Sequence, residues 1–137
     1  MPRYARNALI LAKVETTAGV DAVPTGAANA LLVANLTINP LKANNVSRDL
    51  IRPFFGGSEQ LVGTATVEVS FDVELAASGT AGTAPAWGPL LLGCAFAEAV
   101  TAGSRVDYTP VTTGLKTLTI YYYDDGVLHK LLGAMGD

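Results

Sequence analysis

Residues Thr64 to Leu75 read TATVEVSFDVEL, and their alternation decides the fold. Ala65, Val67, Val69, Phe71, Val73 and Leu75 are apolar, while Thr64, Thr66, Glu68, Ser70, Asp72 and Glu74 between them are polar. Period two marks a β-strand with one dry face and one wet face. At ~3.3 Å per residue the stretch spans about 40 Å, roughly twice an ordinary strand. The wet face holds three carboxylates, Glu68, Asp72 and Glu74, and no Lys or Arg. A one-sign face this long is expected to line something. The apolar face is expected to hold a sheet sandwich together.

Working outward, Asn7–Glu15 reads as a first strand and Thr16–Asn29 as a Gly/Pro/Ala-rich connection. Ala30–Asn39 reads as a second strand with Leu32, Ala34, Leu36 and Ile38 on one face, ended by Pro40. Between Leu41 and Gly63 the pattern disappears, which predicts a long loop. Leu50, Ile51, Phe54 and Phe55 lie in it. At roughly 25 cal/mol per Å² of apolar area, leaving both phenylalanines wet forgoes several kcal/mol. A protruding loop or hairpin is therefore expected here, packed against something such as a neighbouring subunit.

Beyond the long strand, a small-residue linker leads to a helix expected over about Pro85–Val100, with Thr83 as N-cap and a stripe of Leu90, Leu91, Cys94, Ala95 and Ala97. Arg105–Thr109 is a short strand. Thr117–Tyr123 is a β-branched and aromatic strand, joined through the Asp125-Gly126 turn to a return strand over Val127–Leu132. The expected class is mainly β: an antiparallel sandwich or partly open barrel with one flanking helix. The return strand leaves an edge that a continuation beyond Asp137, or another subunit, is expected to cover.

A chain of 137 residues is expected to form a single domain, residues 1–137. Half its residues are hydrophobic and only 15% are charged, which fits a surface covered by partners or a monomer with an uncharged polar surface. A net charge of −3 without clustered bases leaves nothing to grip a phosphate backbone. The single cysteine, Cys94, cannot form an internal disulfide and reads as a small buried hydrophobe. Arg3 and Arg6 precede an apolar run too short for a signal peptide, and no stretch approaches the ~20 apolar residues of a membrane span. A soluble protein of a reducing cytoplasm is expected.

Catalytic chemistry finds no support. One histidine, His129, cannot build a zinc site. Its acidic neighbours Asp124 and Asp125 read as turn formers rather than as triad members. Glu68, Asp72 and Glu74 read as a solvated strand face before they read as an acid–base pair. Gly56-Gly57-Ser58 lacks the GK[ST] continuation and the helix of a phosphate loop. Tyr121, Tyr122 and Tyr123 alternate faces and cannot form one stacking platform. No catalytic, cofactor-binding or metal-ligating residue is assigned.

The chain resembles the tail tube (major tail) proteins of long-tailed bacteriophages, in particular the shorter siphophage type. The resemblance rests on YARNALILAKVETTAGVDAVPTGAANALLV, LTINPLKANNVSRDLIRPFFGGSEQ and VEVSFDVELAASGTAGTAPAWGPLLLGCAFAEAV, then on VDYTPV and YYYDDGVLHKLLGA. SGTAGTAPAWGPLLLGCAFAE is its most specific part. It implies a virion structural protein, a β-sandwich or barrel flanked by one helix, sharing its fold with type VI secretion and contractile-tail tubes. Such subunits form rings, typically hexamers, that stack into a hollow tube conducting genome DNA. Implied partners are other copies, other phage tail proteins and double-stranded DNA passing without specific binding, with no membrane. The implied place is the virion tail, with assembly in the host cytoplasm. Further strands after KLLGA are implied, so Asp137 reads as the end of a truncated or partly ordered chain.

On this reading Glu68, Asp72 and Glu74 face the lumen and repel DNA phosphates. The subunit and ring interface draws on Arg3, Arg6, Arg48, Asp49, Leu50, Ile51, Arg52, Phe54 and Phe55. The alternative is a monomeric β-barrel module that binds a small ligand or carbohydrate on Tyr121, Tyr123 or Trp87.

Overall fold

The computed structural model describes residues 7–136. The chain divides into two compact units: Met1–Val33 with Val73–Asp137, and Ala34–Asp72. The described residues are mainly β, in antiparallel sheets not closed into a barrel, with two short helices, consistent with the expected β-sandwich.

In the first unit β1 (Ala8–Val14), β2 (Ala30–Leu31), β7 (Leu118–Asp124) and β8 (Val127–Ala134) form a sheet ordered β2-β1-β7-β8. β1 runs antiparallel to β7 from Ala8↔Asp124 to Val14↔Leu118. The β7–β8 hairpin closes on Asp125 and Gly126, both at positive φ (48° and 83°), as the Asp-Gly pair predicts for a tight hairpin turn. Buried residues are consecutive here: Ile10, Leu11 and Ala12 on β1, Leu118 to Tyr121 on β7, with Leu31 beside them. A strand buried at successive positions is covered on both faces.

One cover is helix α2 (Gly88–Gly93), which packs on β1 and β7. A Cβ on Gly93 would lie 2.6 Å from Leu118 Cδ1, so this close approach needs glycine. The expected helix over Pro85–Val100 is thus only six residues long, and its cap is Trp87, not Thr83. Pro89 at the start and Gly93 at the end leave three leucines as good helix formers. Ala95 turns to φ 61°, and Phe96–Thr101 becomes strand β5, paired antiparallel with β6 (Arg105–Pro110). Cys94 is a half-buried C-cap and free thiol. A second short helix, α1 (Gly26–Asn29), lies in the stretch read as a plain connection.

The second unit is a two-stranded ribbon of β3 (Val33–Arg48) and β4 (Glu59–Val73). It corrects three expectations. Pro40 does not end the second strand, because a two-stranded ribbon leaves each strand an open edge where a missing N–H costs nothing. Of the loop or hairpin expected over Leu41–Gly63, the structure has the hairpin: the loop itself is only residues 49–58, and its flanks are strand. The third correction concerns the Thr64–Leu75 alternation. β4 contains most of it, but Ala65 and Val67 are exposed and Val69, Phe71 and Val73 only half-buried. The apolar core of the described chain lies on β1 and β7 instead.

Candidate functional site

The ribbon carries most of the residues singled out by sequence. Its two strands are joined by polar rungs. The Asn35 amide donates to Asp72 Oδ2 (2.7 Å), Lys42 Nζ to Glu68 Oε2 (3.1 Å), Asn45 Nδ2 to Gln60 Oε1 (3.3 Å) and Thr66 Oγ1 to the Lys42 carbonyl (3.4 Å). Asn35 does this from a left-handed backbone, φ 53°, which asparagine tolerates. The acidic stripe is therefore not of one sign. The Lys42 hydrogen bond and its charge hold the Glu68 carboxyl below its usual range. Sequence reasoning missed Lys42 because it fell in the stretch read as loop. Glu74 lies just past the end of β4, so the structure brings only Glu68 and Asp72 onto the strand.

At the ribbon's end Glu59 faces two arginines, Arg52 Nη2 at 3.4 Å and Arg48 Nη1 at 4.0 Å. The Ser47 hydroxyl donates to Asp49 Oδ1 (2.8 Å) and the Leu50 N–H to the Arg48 carbonyl (2.9 Å). Such exposed pairs contribute about 0–1 kcal/mol each; their effect is to shape the loop. The same loop carries bare apolar side chains: Ile51 (104% exposed) and Phe55 (109%) are fully in solvent, Leu50 and Phe54 largely so. Full burial of such a side chain is worth roughly 1.5–3 kcal/mol, so the loop tip holds unrealised binding energy. Arg3 and Arg6, the other interface candidates, lie outside the described residues.

In the first unit two carboxylates do work that the sequence did not announce. Glu15 is 5% exposed, and among the described residues no cation pairs with it. Its Oε2 accepts from the Gly19 N–H (2.7 Å) and Thr117 Oγ1 (2.6 Å), its Oε1 from Thr119 Oγ1 (2.9 Å) and the Gly133 N–H (2.8 Å). Burial pushes this carboxyl up, but the four donors outweigh it and hold the pKa at about 2. Asp21 accepts from Lys130 Nζ (2.8 Å), the Tyr121 hydroxyl (2.6 and 2.7 Å) and the Val23 N–H (2.8 Å). Lys130 first, then Tyr121, lowers its pKa to about 2.

The aromatic and acidic candidates for other chemistry are spoken for. Tyr121 is 4% exposed beneath Asp21, so it offers no open ring. Tyr123 meets it edge-on, at 6.5 Å between centroids. Trp87 sits against Tyr108 (5.8 Å), and its indole N–H donates to the Ala76 carbonyl. His129 stacks on Tyr122 (5.8 Å). The Asp125 carboxylate accepts from the Asn7 amide (3.0 Å). Among the described residues no group of three or more His, Cys, Asp and Glu could hold a metal ion, and no helix is long and apolar enough to cross a membrane.

What the site offers is thus a ribbon with a bare apolar tip and a polar stripe, an arrangement suited to protein–protein contact. No curated protein and no solved structure matches the chain. A family model described as phage tail tube protein matches residues 5–136, nearly the whole chain. That membership makes the protein a phage tail structural protein, placed in the virion tail and assembling with itself and with other tail proteins. The chain belongs to the phage tail tube protein family.

Proposed function

We propose that this chain is one tail-tube-like domain that self-assembles into stacked hexameric rings, building the conduit through which genome DNA leaves the virion. Assembly takes place in the host cytoplasm, and the protein performs no catalysis. The observation that carries the reading, beside family membership, is the ribbon's loop of residues 49–58, with Ile51 and Phe55 fully exposed. A lone soluble subunit gains nothing from such a tip, whereas a subunit buried among its copies recovers the area on docking. Leu50, Ile51, Phe54 and Phe55 are the proposed anchors between subunits or rings, with Arg3, Arg6, Arg48, Asp49 and Arg52 around them.

Glu68, Asp72 and Glu74 are the proposed lumen residues. Their role is to keep DNA from adhering as it slides, since a basic wall would bind phosphate. Lys42 moderates this field at Glu68, so the repulsion falls mainly to Asp72 and Glu74. Negative-stain microscopy of the purified protein tests the reading. Rings or tubes are expected, and a chain that stays monomeric at high concentration overturns it. Changing the three acids to Lys is expected to leave assembly intact and block DNA passage; lost assembly would place them in an interface instead.

A further inference from the structure

Residues 16–23 lie over the sheet without joining it. Three of their N–H groups are taken by side chains, not by a strand: Gly19 by Glu15, Ala22 by Thr119 Oγ1 (3.1 Å) and Val23 by Asp21. Apolar burial adds little, since residues 16–20 are exposed and so is Val23. Val23 moreover sits at φ 48°, a left-handed conformation that a β-branched side chain resists. The segment covering Tyr121 is therefore held down by polar contacts and carries strain, over the buried Thr119 and Tyr121 of β7. Few apolar contacts and an N–H pattern independent of the ladder mark the low end of local stability.

From this we infer that residues 16–23 form a strap that opens as a unit over an intact sheet, with Asp21 as its latch. Asp21 alone joins the strap to both β7, through Tyr121, and β8, through Lys130. Pro24 is buried and stays seated, as the pivot. Opening uncovers Tyr121. It also extends an apolar row already in place: Leu9, Tyr123 and Leu128 stand opposite one another on the same face, with Leu9 and Leu128 exposed. The strap stands on its own contacts and does not rest on ring assembly.

Hydrogen exchange followed residue by residue tests it. The Gly19, Ala22 and Val23 amides are expected to exchange together, faster than those of Leu11 and Ile120. Asp21→Ala should speed the strap amides and leave the sheet amides unchanged. Tyr121→Phe removes only the latch hydroxyl, keeps the ring buried, and should act in the same direction more weakly. Strap amides that exchange only at the rate of the sheet overturn the inference, as do variants that speed strap and sheet alike.

Discussion

Two pairs of strands in this molecule use apolar residues in opposite ways. β1 and β7 bury consecutive residues, from Ile10 to Ala12 and from Leu118 to Tyr121, because α2 covers one face and the 16–23 strap bears on the other. β3 and β4 alternate apolar with polar residues and bury none of them fully. Alternation reports two different environments, but it does not say that the dry one lies within the same chain. In the sheet the cover is intramolecular. In the ribbon the Ile51 and Phe55 side chains wait for cover from outside. Stability should therefore concentrate in the first unit and association in the second.

Substitutions can break that comparison. Leu11→Ala removes a fully buried side chain and should cost about 2–5 kcal/mol, read from the denaturant midpoint. Phe55→Ala, a larger truncation on the ribbon, should shift the midpoint by less than about 0.5 kcal/mol while abolishing assembly. Equal costs at the two positions would erase the distinction.

Glu15→Gln should destabilise the first unit by about 3 kcal/mol, because the amide presents its own N–H groups to donors. The ionised form carries the stabilisation. With the folded pKa at about 2, below the usual value of 4.5, its contribution is complete above pH 4.5 and is lost as pH falls toward 2. An acid titration should show a steeper loss in wild type than in Glu15→Gln, since the Asp21 carboxylate, also held at about 2, contributes to both.

Gly93→Ala should cost about 1–3 kcal/mol by pushing α2 off Leu118, measured by thermal melting. The smallest effect is expected on the ribbon. Lys42→Ala should change stability by less than about 1 kcal/mol while the Glu68 pKa rises back toward its usual range, followed by NMR titration.

Local patterns in the sequence carried the strands well. TLTIYYY, the Asp125-Gly126 turn and the alternation after Thr64 each name their element, because β-branching, turn chemistry and period two are local properties. The short helix was less legible. Apolar residues from Leu90 to Ala97 suit a helix and a buried strand alike, and the β5–β6 pairing that decides between them is tertiary. Pro40 misled for a similar reason, since its effect depends on which strand edge is open. The candidate site divides in the same way. The apolar loop residues were readable as unsatisfied on composition alone. Lys42 opposite Glu68, and Glu15 gathering Gly19, Thr117, Thr119 and Gly133, depend on contacts between residues far apart in sequence.

The pairing of β1 with β7 also sets an order of events on the ribosome. Every partner of β1 in that pairing lies more than 100 residues downstream. The ALILA stretch can meet β2 early, through Ile10↔Leu31 and Leu11↔Ala30, but its other edge stays open while most of the chain is made, whereas the ribbon can zip up from its own loop long before. A strand destined for deep burial thus keeps one edge open to chaperones and to self-association, and the first unit closes only when Leu118 to Asp124 arrives.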